Sequence, residues 1–212
     1  MSVKLISITK PQIEGLDTAE DLIGYCARVS NPSNQLNTET APKLLKYCID
    51  HGHWSIFEQA SMTVEIKTSR AIAAQIIRHK SFSFQEFSQR YSEVTEMETL
   101  ELRKQAQKNR QSSEHVMDDV VLNNAAKYAI DFSIKTYEKL IREGVAKECA
   151  RMILPLCTQT TLYMSGTARS FINYLMLRTK EDTQKEHRDI ALKIQKIFSS
   201  NFPNVSKSLN FI

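Results

Sequence analysis

The residues best suited to chemistry fall in one stretch, RHKSFSFQEFSQRY, from Arg78 to Tyr91. Read as the end of a helix, Gln75, Arg78 and His79 lie three and four positions apart and share a face. Read as a strand, Glu86, Ser88 and Arg90 alternate onto one face. Together these positions offer an amide, two guanidiniums, an imidazole, a carboxylate and a hydroxyl, an inventory that can grip an anionic heteroaromatic ligand. A structural reading stands beside this one. Cations in the last turn of a helix are favoured by its dipole, and polar residues on one strand face are commonly just solvated.

The charge distribution favours a ligand. Between Lys67 and Arg90 there are five cations against one acid, Glu86, a surplus equal to the net charge of +4 carried by the whole 212-residue chain. Such a small total argues against a protein that coats nucleic acid. The chain has five glycines, no two closer than nine residues. That spacing excludes both the P-loop and the dinucleotide fingerprint, which fold the backbone around phosphate with clustered glycines. Phosphate recognition here must use side chains.

The elements that position these residues alternate irregularly. A short β-branched strand runs from Val3 to Ile8, and Asp17 with Glu20 has capping-box spacing for a helix to about Arg28. A second helix starts near Pro42 and closes at Gly52. Met62, Val64 and Ile66 alternate with Thr63, Glu65 and Lys67 as in a half-buried strand, and Ser69 caps a helix to about His79. From Ser81 the pattern again has a period of two. Residues 92–114 read as an irregular polar surface excursion.

A long helix spans about Asp118 to Glu143 before Gly144, and a shorter one reaches Pro155. TTLYMS is strand-like, Ser165 or Thr167 caps a helix to Arg178, and Thr183 with Glu186 has capping-box spacing for a last helix to about Ser199. With no repeat or linker, residues 1–212 read as one α+β domain. The four cysteines occur singly, which argues against a zinc ribbon or disulfide framework and suits a reducing cytoplasm. No segment reads as a signal peptide or membrane span.

Arg78-His79-Lys80, seven residues and then Ser88, followed by Arg90-Tyr91, resembles the RHR-x7-S motif of the flavin-dependent thymidylate synthases, with Lys80 where that family normally has arginine. Further landmarks resemble the family in its order: Ala27 to Ser30, His53 to Glu58, Glu148 to Arg151 with Leu154 to Leu156, and Ala168 to Ser170 through Asn173 to Arg178. The resemblance covers most of the chain. It implies a mainly antiparallel, curved sheet flanked by helices, and a homotetramer with shared active sites.

It also implies synthesis of dTMP from dUMP, with methylenetetrahydrofolate as carbon donor and FAD carrying hydride from NADPH. Carried over residue by residue, Gln75, Arg78, Glu86, Ser88, Gln89, Arg90 and Arg151 would hold dUMP, with Gln89 contributing mainly backbone. Arg178 would be catalytic, facing the uracil and stabilising its ionised N3. Ser30, Ser55, Glu58, Arg78, His79, Lys80, Arg169 and Asn173 would surround FAD, with His53 on the flavin and folate side.

The physical chemistry agrees with those roles. Attack from C5 builds negative charge on the pyrimidine, and a guanidinium stabilises it without giving up a proton. Arg169 and Asn173 are four apart on a helix, whereas Arg178 is half a turn around, so the three cannot meet at one atom. Ser55 and Glu58 have capping-box spacing and could simply start a helix. Lys80 keeps the charge but loses the bidentate fork. Cys157 reads as a small buried residue rather than a nucleophile, and His51 with His53 lacks the companions of a metal site. Ser88 has no evident general base and is expected to bind phosphate. The non-enzymatic alternative is a single-strand nucleic-acid-binding module that stacks bases on Phe82, Phe84, Phe87 and Tyr91.

Overall fold

A computed structural model describes residues 1–212. Its centre is a four-stranded antiparallel sheet of order β1-β2-β6-β3, formed by Ser2–Ile8 (β1), Ser61–Ser69 (β2), Ser83–Glu86 (β3) and Gln159–Thr167 (β6). The alternation read in the sequence fixes the register. Met62, Val64 and Ile66 are buried and lie opposite Gly166, Met164 and Leu162. A shift of one residue would turn this whole set towards solvent.

Helices Ala19–Ala27 (α1), Ala41–Asp50 (α2), Arg70–Ile76 (α3), Ala168–Arg178 (α6), Lys185–Asn201 (α7) and Pro203–Ser208 (α8) contribute to a hydrophobic core of 26 buried residues. His187, Ile190, Ala191, Ile194 and Phe198 form the buried stripe of α7 at helical spacing. The long helix Val120–Arg142 (α4) differs, because only Tyr137 is buried along its length. No helix is long and apolar enough to cross a membrane.

Two junctions position the chemistry. β2 passes directly into α3 and β6 directly into α6, and because the strands are antiparallel these helices leave opposite ends of the sheet. Thr167, not Ser165, caps α6, its hydroxyl accepting from the Ser170 amide at 3.2 Å. At 1.5 Å per residue α6 is about 16 Å long. That length carries its last residue, Arg178, to the turn that follows α3.

Several sequence expectations are corrected. The capping box of α1 is Thr18 with Asp21, one residue after the pair expected. Asp17 lacks the position, and Glu20 is instead buried, accepting from the Val205 amide at 2.8 Å at the start of α8. Thr183 and Glu186 form no box. Gln184 precedes α7 without a side-chain cap, and Glu186 turns to Arg103. Ser55 and Glu58 likewise cap nothing, lying within the 3-10 turn Trp54–Glu58.

The polar excursion is more ordered than its sequence suggests. It contains a two-stranded hairpin, Arg103–Gln105 (β4) with Ser113–Val116 (β5). Its strands have almost no buried side chains, so the alternation that marks a strand in sequence is missing. The helix expected up to Pro155 is short, Lys147–Ala150 (α5), followed by a 3-10 turn at Arg151–Ile153.

Candidate active site

α3 ends at Ile76, so Arg78 and His79 sit in the turn beyond it rather than on its face. β3 ends at Glu86, so Ser88 and Arg90 lie in the loop that follows rather than on one strand face with it. In both cases the reactive residues are displaced from the regular element into the adjoining turn, where side chains are free to converge.

The turn after α3 meets the end of α6. Arg178 Nε donates to His79 Nε2 at 2.9 Å. That nitrogen must therefore carry a lone pair, and the imidazole is the neutral tautomer protonated at Nδ1. Burial, and then the charge of Arg178, push the His79 pKa below its ordinary value and preserve this state. Tyr174 packs edge-on against His79 with ring centroids 5.0 Å apart. Behind them, fully buried His187 bridges the Tyr174 hydroxyl at 3.1 Å and Gln75 Oε1 at 3.2 Å.

A second group forms at the sheet edge. Glu86 Oε1 accepts from Arg70 Nη1 at 2.6 Å and from the Thr160 hydroxyl at 2.9 Å. Beyond it, a cleft of about 570 Å³ is lined by Ser88, Arg90, Tyr91, Ala146, Lys147 and Glu148. Arg90 pairs with Glu148 at 2.9 Å across this cleft. Nearby, two buried donors, Gln89 Nε2 and Arg151 Nε, have no hydrogen-bond partner. An unpaired buried donor is costly, and oxygen-rich anions such as a nucleotide phosphate are the ligands that would satisfy it. Gln89 thus presents a side-chain donor in addition to its backbone.

The residues expected around FAD are spread over more of the surface. Ser30 lines a cleft with Arg28, Asn31, Asn34 and Thr40, and Ser55 lines an adjoining one with Tyr25, Val29 and Gln35; Ala27 belongs to both. Arg169 pairs with Glu58 at 2.5 Å, whereas Arg178 is engaged with His79, as expected from their half-turn offset. Lys80, His53 and Asn173 are exposed. Hydroxyls, amides and cations of this kind suit the ribityl, ribose and pyrophosphate groups of FAD, but one chain does not gather them into a single cleft.

Cys157, His51 and Ser88 have distinct surroundings. The Cys157 thiol is pushed up by burial, which disfavours the nucleophilic thiolate. His51 stacks on Tyr47, with centroids 3.9 Å apart and Nδ1 at 2.9 Å from the Tyr47 carbonyl. Ser88 is exposed and no base contacts its hydroxyl. Of the four aromatics named as a stacking platform, Phe82 is withdrawn, buried against Phe171 with ring centroids 4.9 Å apart, while Tyr91 is exposed. Sequence reasoning missed Arg70, Tyr174 and His187. Arg70 was visible only as part of the charge surplus, and the other two lie at positions whose helical spacing reads as apolar core.

Residues 12–204 match the family described as "Thymidylate synthase complementing protein". A protein of Paramecium bursaria Chlorella virus 1 named "Probable flavin-dependent thymidylate synthase" is 53% identical over 219 residues, covering all of both chains. A "Flavin-dependent thymidylate synthase" of Synechocystis sp. is 51% identical over 218 residues, again covering both completely. Among solved structures, the UMP/dUMP methylase PolB from Streptomyces cacaoi, bound with 5-Br dUMP, superposes with a TM-score of 0.82 over 99% of this chain and 94% of its own. At 24% identity that likeness concerns the fold. With full-length relatives of that name at 51% and 53% identity, the chain belongs to the family of flavin-dependent thymidylate synthases.

Proposed function

We propose that the chain, as one domain over residues 1–212, converts dUMP to dTMP, taking the carbon of methylenetetrahydrofolate and using FAD with NADPH as reductant. The observation that carries the reading is the state of Arg178. Its Nε is held by a neutral imidazole, and unlike Arg70, Arg90, Arg103 and Arg169 it has no carboxylate partner. A half-buried guanidinium whose charge is not compensated by the protein is suited to an anion supplied by the ligand.

dUMP would be held by Gln75, Arg78, Glu86, Ser88, Gln89, Arg90 and Arg151, with its phosphate towards the cleft of Ser88 and Arg90. Arg178 would face the pyrimidine and stabilise the charge that develops as C5 becomes nucleophilic. Glu86, fixed by Arg70 and Thr160, keeps one oxygen free to accept from a sugar hydroxyl. Bound FAD supplies the hydride chemistry. Ser30, Ser55, Glu58, Arg78, His79, Lys80, Arg169 and Asn173 would hold it, with His53 towards the folate. Lys80 has no ion pair and acts there as a point charge rather than a fork.

Assembly as a homotetramer with sites shared between subunits is supported by two observations. The FAD-directed residues lie in separate surface regions, and α4 exposes Val120, Val121, Leu122, Tyr128 and Phe132, with Met152 and Leu156 exposed as well. Function in the cytoplasm fits four free cysteines. The test is a dTMP assay by liquid chromatography, omitting dUMP, methylenetetrahydrofolate, FAD and NADPH in turn. Product in the complete mixture alone supports the reading, and no product from folded, flavin-loaded protein refutes it.

A further inference from the structure

His187 occupies a position where the pattern of α7 calls for an aliphatic side chain. It shares a buried stripe with Ile190, Ala191, Ile194 and Phe198, and none of its surface is exposed. An imidazole buried there is tolerated only if both ring nitrogens are satisfied. Both are, and by residues from two other helices. Nδ1 lies 3.2 Å from Gln75 Oε1 in α3, and Nε2 lies 3.1 Å from the Tyr174 hydroxyl in α6.

The directions of these bonds follow from the partners. An amide oxygen only accepts, so Nδ1 carries the proton, Nε2 keeps its lone pair, and Tyr174 donates to it. The Gln75 amide is thereby oriented. Its oxygen is tied inwards, and its NH2 points away, donating to Gln184 Oε1 at 2.7 Å. Gln184 in turn donates to Glu186 at 2.9 Å, so that Gln184 is fixed as an acceptor as well.

We propose that His187 is a positioning residue for the nucleotide site, locking the Gln75 amide so that the N–H not engaged by Gln184 faces an acceptor oxygen of dUMP. This rests on the proposed function and deepens it. With the lock removed, only the solvent-exposed bond to Gln184 still orients the amide, and an amide that turns presents a carbonyl to the same acceptor, converting attraction into repulsion. Burial, Arg178 and His79 push the His187 pKa down to about 3, and burial raises that of Tyr174, so the lock holds in one protonation state. The charged and titratable groups facing the imidazole are those three residues, His79, Tyr174 and Arg178.

Calorimetric titration of the FAD-loaded protein with dUMP tests the proposal. His187→Leu should weaken dUMP binding by about 3- to 10-fold, the worth of one hydrogen bond. His187→Asn, which retains an N–H towards Gln75, should recover most of the loss. In a Gln75→Ala background, His187→Leu should have no further effect, whereas a general loss of packing would weaken both backgrounds alike. Tyr174→Phe keeps the ring and serves if His187→Leu does not fold; freeing the tautomer, it should weaken binding about threefold. Nitrogen-15 NMR should find His187 protonated at Nδ1. Wild-type affinity in folded His187→Leu or in Tyr174→Phe, additive losses in the double variant, or an Nε2–H tautomer would overturn the proposal. Failure of the unsubstituted protein to bind dUMP would instead refute the functional reading beneath it.

Discussion

Arg178 reaches His79 through Nε, at 2.9 Å from the imidazole Nε2, and this contact joins the end of α6 to the turn after α3. An arginine bound in this way has its stem nitrogen already used, which leaves the two terminal nitrogens for a ligand. Orientation and charge are therefore separable properties of this side chain.

Substitution of Arg178 should separate them. Arg178→Ala is expected to lower turnover at saturating dUMP by about 10²- to 10³-fold, the usual worth of a group that stabilises transition-state charge. Flavin content should be retained. Arg178→Lys restores a cation without the bond to His79, and should recover only part of the loss. Steady-state kinetics with absorbance of bound flavin measure both, and near-normal turnover in Arg178→Ala would remove the residue from the reaction.

Acid should weaken the fold through the two imidazoles behind Arg178. Both His79 and His187 have pKa values pushed below the ordinary 6.5. In the unfolded chain they take up protons near 6.5, and in the folded chain only at lower pH, so in the interval between the unfolded state binds more protons. Stability is therefore full above about pH 6.5 and falls as pH falls. For His187 alone the loss between pH 7 and pH 5 is of order 2 kcal/mol. Urea unfolding at the two pH values measures it, and His187→Leu should remove that share.

Gly166 should not tolerate alanine. A Cβ there would lie 2.5 and 2.8 Å from atoms of the Phe82 ring. That ring is wedged against Phe171 and Tyr174 and cannot withdraw cheaply. Gly166→Ala is expected to cost about 1–3 kcal/mol in thermal or urea unfolding. Because Phe82 lies two residues after Lys80, next to the turn that carries Arg78 and His79, dUMP affinity should fall as well. A variant as stable as the parent would show that Phe82 has another place to go.

The hairpin of β4 and β5 is latched to α7. Arg103 donates to Glu101 at 2.8 Å and to Glu186 at 2.6 Å, and Lys185 bonds Glu101 at 2.7 Å. Arg103→Met should leave global stability within about 1 kcal/mol and raise the rate of proteolytic cleavage in the hairpin about tenfold, because only a local opening is affected. Equal cleavage rates would mean that the backbone pairing holds the hairpin without the latch.

The parts of this architecture visible in the sequence are those with a local physical signature. β2 carried a strict alternation, α4 ended two residues before Gly144, which takes a positive φ of 84°, and α6 had a hydroxyl at its start. The site residues could be named through resemblance to a family, but not placed. Nothing local to Arg178 and His79, 99 positions apart, announces their bond. The hairpin was illegible because it buries so little, and His187 because its spacing was that of a core residue. Glu20 and Glu186 misled in the same way: each had the spacing of a local cap, and each was drawn to a distant partner.

The most direct test of the account is turnover by the purified protein. Loaded with FAD and given dUMP, methylenetetrahydrofolate and NADPH, it should form dTMP in amounts exceeding one per subunit, and none when dUMP is left out. Folded, flavin-containing protein that binds dUMP and yields no dTMP in the complete mixture would contradict it.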